Sequence, residues 1–288
     1  MKGLISRNLK IFFRDKGAVI FSLLGVLIVA GLYILFLGDA YTDSLADFKD
    51  SDKFMNCWIM AGLLAITSVT TTMGAFGTMV QDKEKKIFKD FYCAPVSRSS
   101  ITLSYIISSA VVGLIMTGIV LVIALVYLTV TESITLSAML IVKLVGLSIL
   151  TSLSNTAIVL FLVSFMTSEK AFSAITGVIS ALIGFITGIY LPIGNLPDGV
   201  QYVVKCFPTS HSAVLFRQLL MGDLEESVEN FPPEAQADAL TGLKESLGVI
   251  FKFGDTECTA YASVLILAGT LVVFSILSIL ILRKKKNN

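Results

Sequence analysis

The residues able to do chemistry are few and scattered. The chain has one histidine, His211, and four cysteines, Cys57, Cys93, Cys206 and Cys258. No two of the cysteines make a C-x-x-C, and with a single imidazole they offer no metal-ligand spacing. They read as isolated thiols; the open alternative is a disulfide among Cys57, Cys206 and Cys258, which spacing alone does not decide. Nucleophilic catalysis would need a serine on a Gly-x-Ser-x-Gly elbow and a base brought to it. Gly146-Leu-Ser148 lacks the second glycine, and His211 reads as a polar residue at an outer interface. There is no G-x-x-x-x-G-K-[ST] to cradle phosphates and no H-E-x-x-H to hold zinc. No catalytic residue, metal or cofactor of the chain's own is expected.

What remains is chemistry by contact. The stretch Gln81-Asp-Lys-Glu-Lys-Lys-Ile-Phe-Lys-Asp-Phe-Tyr-Cys-Ala-Pro95-Val-Ser-Arg98 lies between Met55–Val80 and Ser99–Thr131, neither of which holds a charged residue. Lys83, Glu84, Lys86, Lys89 and Asp90 supply charge. Ile87, Phe88 and Phe91, at i, i+1 and i+4, form an apolar strip on one side of a short helix. A loop that only reversed the chain would not need exposed aromatics. They either meet a partner or anchor the loop in a lipid interface.

The elements around this stretch are membrane spans. Hydrophobic residues are 55% of the 288, charged residues 15%, and mean hydropathy is +0.84. A soluble domain carries about 25% charged residues, and a spanning helix needs roughly 20 apolar ones. The expected fold is an all-α polytopic membrane domain with spans at 17–38, 55–80, 101–128, 137–166, 171–190 and 259–282. Residues 1–16 precede them as an amphipathic interfacial helix, with Ile5, Leu9 and Phe12 on one side and Arg7, Lys10 and Arg14 on the other. The net charge of +1 carries no nucleic-acid signal.

Within the spans, Trp58 reads as an interface anchor. The hydroxyls between Thr67 and Thr78 read as packing groups bonded to their own backbone. Lys143 either snorkels or faces a cavity. Ser173, Gly177, Ala181, Gly184 and Gly188 mark a close helix–helix face, inside the chain or against a second copy. Residues 191–258 hold Pro192, Pro197 and Pro208 and read as two short re-entrant helices, the first starting at Pro197. The second is capped by Thr209 or Ser210. A small acidic cap follows, with a helix through Leu240, Leu243 and Leu247.

With six spans both termini share a side with the 81–98 hairpin, and that side collects most of the lysine and arginine, from Lys2 to Lys16, Lys83 to Arg98, Lys170 and Arg283 to Lys286. The basic excess assigns it to the cytoplasm of a cell membrane. The spans so bounded hold no Asp or Glu, which disfavours a proton-driven carrier. Energy for any work then comes from another chain.

Four stretches carry a resemblance to the permease subunits of ABC-2 type exporters: Arg7-Asn-Leu-Lys-Ile-Phe-Phe-Arg-Asp15; Met79-Val-Gln-Asp-Lys-Glu-Lys-Lys86; Phe91-Tyr-Cys-Ala-Pro95-Val-Ser-Arg98; and Leu191-Pro-Ile-Gly-Asn-Leu-Pro197 with Phe207-Pro-Thr-Ser-His211 and Arg217-Gln-Leu-Leu. The resemblance implies a homo- or heterodimer of permeases in the membrane lipid, bound to cytosolic ATP-binding subunits that hold ATP and Mg2+. It implies that residues 1–16, with Arg7, Lys10, Phe12 and Arg14, are a connecting helix. Residues 81–94, with Lys83, Glu84, Ile87, Phe88, Asp90 and Phe91, would then be the coupling helix seated on the ATPase. Many members carry acidic-x-Gly-Thr-x-Glu there; this chain has Glu84-Lys-Lys-Ile-Phe-Lys-Asp90. The expected activity is ATP-driven export of an amphiphile (drug, lipid or peptide). A non-transporting immunity or sensor protein of the same fold, or an intramembrane enzyme, is the alternative.

Overall fold

The computed structural model describes residues 1–33, 35, 45, 47–222, 224–254 and 256–287 of the chain. Eleven helices are described: α1 (Lys2–Arg14), α2 (Lys16–Leu32), α3 (Ser51–Glu84), α4 (Ile87–Cys93), α5 (Arg98–Glu132), α6 (Ala138–Ser164), α7 (Glu169–Ile186), α8 (Asp198–Cys206), α9 (Pro208–Leu220), α10 (Pro233–Ser246) and α11 (Ala260–Asn287). Two 3-10 turns, Ile193–Asn195 and Leu224–Val228, join them. The chain is mostly helical, as expected, with one short β-hairpin added. Phe251–Phe253 (β1) pairs antiparallel with Thr256–Cys258 (β2), Lys252 opposite Glu257.

Five helices, α3, α5, α6, α7 and the Ala260–Ile281 part of α11, are long and apolar enough to cross a membrane. The sixth candidate is the pair α1 and α2, which meet at a 70° bend. Asp15 makes that bend: its backbone leaves the helical region and its carboxylate accepts the Ala18 N–H at 3.0 Å, capping α2. The expected first span, 17–38, runs partly outside the described residues.

α3 is the axis. Within its apolar window 89% of residues are buried, against 17% in α7 and in α11, and it packs on α2, α5, α6, α7 and α9. Burial against lipid-like neighbours gives little hydrophobic driving force, so small and hydroxyl residues that permit close packing matter more. Thr67 donates to the Leu63 carbonyl at 2.6 Å and Thr71 to that of Thr67 at 2.7 Å, as expected of packing hydroxyls. Asn155 of α6 joins Ser68 of α3 to Thr209 of α9.

The two ends of the bundle differ. The hairpin end carries α1, α4, the end of α3 and the start of α5. The cap end carries α8, α9, α10 and the β-hairpin. α8 and α9 are each too short to span a bilayer, and α9 packs on α3, α6 and α11. It starts one or two residues before the expected cap, with Pro208 at the first turn, where proline's missing N–H costs nothing. Trp58 is not an interface anchor: it is fully buried and donates to the Leu247 carbonyl at 2.7 Å, beneath the cap.

Candidate functional site

At the hairpin end the apolar helix α3 does not stop where charge begins. It continues through Gln81–Glu84, so Asp82 stays on the buried stripe set by Phe76 and Met79. A buried carboxylate needs a cation or several donors. Arg7 of α1 supplies two bonds, Nη1 to Oδ2 at 2.6 Å and Nη2 to Oδ1 at 3.0 Å. The Tyr105 hydroxyl of α5 donates a third, to Oδ2. Asp82 is 5% exposed and Arg7 29%. The pairing raises the Arg7 pKa, because the bond to Asp82 outweighs the desolvation that opposes it.

The short helix α4 closes over this ion pair. Lys86 takes a left-handed backbone, φ 59°, and turns the chain back on α3. Phe88 then stacks on the Tyr105 ring, centroids 5.6 Å apart, and the Arg7 guanidinium lies 5.3 Å over Phe91. Both phenylalanines pack against the cluster of Met73, Phe76, Met79, Ile101 and Tyr105. The expectation that this strip is exposed is therefore corrected: Phe88 and Phe91 turn inward, because Asp82 and Tyr105 present a surface that an aromatic can cover. The outward face of the turn and α4 is Lys85, Lys86, Lys89, Asp90 and Cys93.

The site residues expected from sequence therefore separate into groups. Lys83 and Glu84 belong to the end of α3. The Glu84 carboxylate accepts the Glu169 backbone N–H at 2.6 Å, satisfying a free donor at the start of α7, while Gln81 donates to the Glu169 side chain at 2.9 Å. Lys83 reaches the Val163 carbonyl at the end of α6, at 3.5 Å. Phe88 and Phe91 face the bundle, Ile87 is half-buried and Asp90 is exposed. In α1, Phe12 is buried against Ala75, Val112 and Met116, while Lys10 and Arg14 are exposed. One ion pair thus ties α1, α3, α4 and α5, and the next turn of α3 ties α6 and α7.

The sequence reading missed Asp82 and Tyr105. A signal existed for Asp82: it lies three residues beyond Met79, in phase with the buried side of α3. No sequence pattern relates it to Arg7, 75 positions away.

The small-residue face is only partly as expected. Gly177 and Ala181 lie exposed on α7. Gly184 and Gly188 are used inside the chain. Gly188, φ +67°, ends α7 in a Schellman turn, with Ile189 N–H on the Gly184 carbonyl at 2.9 Å and Gly188 N–H on that of Phe185 at 3.1 Å. A side chain at Gly184 would strike the Tyr190 ring. His211 is not interfacial but fully buried; Nε2 donates to the Lys205 carbonyl at 2.9 Å and Nδ1 accepts from Ser263 at 3.0 Å. Lys143 is exposed. All four cysteines are free, so the disulfide alternative is not realised. Among the described residues no cluster of His, Cys, Asp or Glu could hold a metal.

Spanning-length helices around a nearly uncharged interior define an integral, multi-pass membrane protein. The chain belongs to the ABC-2 family of transporter proteins, whose family model matches residues 39–280. It is thus a permease component of a membrane transport system. The match begins after α1, so the Arg7–Asp82 contact joins a segment outside the matched region to one inside it. No curated protein sequence matches the chain.

Proposed function

We propose that the chain is the permease half of an ATP-driven exporter in the cell membrane, with both termini cytoplasmic, and that the hairpin end receives force from a cytosolic ATP-binding subunit. ATP and Mg2+ belong to that partner. The chain contributes no catalytic group and works as a dimer, homo- or heteromeric, passing an amphiphilic substrate.

The observation that carries this reading is the Asp82 junction. A push on the Lys85–Lys89 turn is transmitted through Phe88 and Phe91 to Tyr105 and Arg7, and so to α5 and α1. The same displacement of α3 pulls Glu84, and with it the start of α7. Packed interfaces of this kind move as discrete units rather than deforming smoothly. The exposed Lys85, Lys86, Lys89 and Asp90 give the partner a charged surface, and the membrane lipid is met by the exposed apolar side chains of α2, α7 and α11.

Reversing Lys85, Lys86 and Lys89 to glutamate tests the docking face while leaving the buried junction intact. Loss of the co-purifying ATP-binding subunit, with α1 still protected from hydrogen exchange, is the expected result. An unchanged complex would remove the docking role from this face.

A further inference from the structure

At the cap end a second charged group is buried, and nothing above uses it. Arg217 of α9 is fully buried and has no carboxylate partner among the described residues. Its guanidinium is held by carbonyls: Nη2 donates to Thr187 at 2.8 Å and Gly188 at 3.3 Å, and Nη1 to Gly248 at 3.3 Å. These carbonyls sit at the C-terminal ends of two helices, α7 and α10. The α10 end is also a Schellman turn, with Gly248 at φ +64° and Val249 N–H on the Lys244 carbonyl at 2.8 Å. Each helix end presents a partial negative charge and carbonyls without intrahelical donors. The guanidinium fork fits between the two ends as one ammonium would not. Trp58 of α3 completes the grip: its ring lies 4.9 Å from the guanidinium carbon and its indole N–H bonds Leu247. Gln218 adds a bond to Val249 at 2.8 Å.

We infer that Arg217 is a positioning residue for transport: a reversible latch that pins the far end of α7 and the α10 cap onto α3, and that must release for the cap end to open. Two features make it a latch rather than a permanent bolt. Among the described residues the cation is met only by carbonyl dipoles and the Trp58 ring, and its Nε has no acceptor, so the burial penalty of the charge is only partly offset. The element it holds, α7, is among the least embedded of the spanning-length helices and is the one gripped at its other end by Glu84. A pull at the hairpin end therefore loads the latch through α7. The role in opening rests on the permease reading; the latch itself does not.

Trp58 is the chain's one tryptophan, which makes its fluorescence a direct reporter. The full chain is reconstituted in lipid nanodiscs and quenched with acrylamide. In the free chain, R217Q should red-shift Trp58 emission and raise the quenching constant several-fold. R217K, which keeps charge but cannot bridge two helix ends, should fall between it and wild type. Gly248→Ala, which strains the same turn from the α10 side and crowds Ile193 and Arg217 Nη1 while keeping the cation, should resemble R217Q. A Trp58 that stays protected in a monodisperse, helical R217Q or G248A protein overturns the latch. In the complex with its ATPase, trapping with ATP should expose Trp58 in wild type and change nothing further in R217Q. Identical wild-type quenching in both nucleotide states overturns the role in opening. Failure of any ATPase to co-purify is a separate result that sinks the permease reading instead.

Discussion

Removing Arg7 strands a buried carboxylate, and the size of that effect follows from the geometry. In Arg7→Ala, Asp82 loses two charge-assisted bonds and keeps the Tyr105 hydroxyl. Hydrogen bonds to charged groups contribute about 1.5–3 kcal/mol each, and breaking a buried pair on one side costs up to about 5 kcal/mol. Arg7 is partly in solvent, so the lower part of that range applies, about 2 kcal/mol, or roughly 30-fold in the population of undocked α1. Amide hydrogen exchange across Lys2–Arg14 reads this directly. In Asp82→Asn the charge left unpaired is the partly exposed Arg7 guanidinium rather than a buried carboxylate, and the double variant should be much less perturbed than the sum of the two, since neighbours in one network do not add. Strict additivity, or wild-type exchange in Arg7→Ala, would show that the pair does not hold α1.

Other outcomes follow from the same contacts. Glu84→Ala uncaps α7 and should cost about 1 kcal/mol, seen as faster exchange over the first turn after Ser168. Gly184→Val meets the Tyr190 ring and should abolish a folded product, whereas Gly177→Val, in open space, should leave the protomer's melting temperature within about 1 kcal/mol equivalent. The raised Arg7 pKa means its pairing is complete below the ordinary guanidinium value and is lost only as pH climbs through the higher folded value. The difference in α1 protection between wild type and Arg7→Ala should therefore stay flat from about pH 7 to about pH 10. With four free thiols, a reducing agent should leave thermal stability unchanged.

Hydropathy made the spans legible because a bilayer demands uninterrupted apolar helices. It did not reveal that α3 runs on into the charged stretch, since Gln81–Glu84 read as loop by composition while the helix continues through them. The amphipathic N-terminus was legible by period, and Phe12, Lys10 and Arg14 lie on the faces expected. The aromatic strip at Ile87, Phe88 and Phe91 was visible as a strip, but its direction was not. That depends on Asp82 and Tyr105, brought to it by folding rather than by spacing. Gly184-x-x-x-Gly188 shows the converse. The motif is real, yet its second glycine lies beyond the helix end, where a Schellman turn needs positive φ. His211 and Trp58 were read as interfacial groups because nothing in their neighbours' sequence announces the cap that buries them.

The central claim is that the turn between α3 and α5 is where an ATP-binding subunit docks. Cys93 is native, free and exposed at the end of α4, so a short thiol-reactive photo-crosslinker can be placed there without altering the buried junction. Irradiation in intact cells should yield one major adduct, containing a cytosolic ATP-binding protein, that disappears in Cys93→Ser and changes in yield with nucleotide. An adduct with lipid alone, or with no ATP-binding protein, would contradict the account.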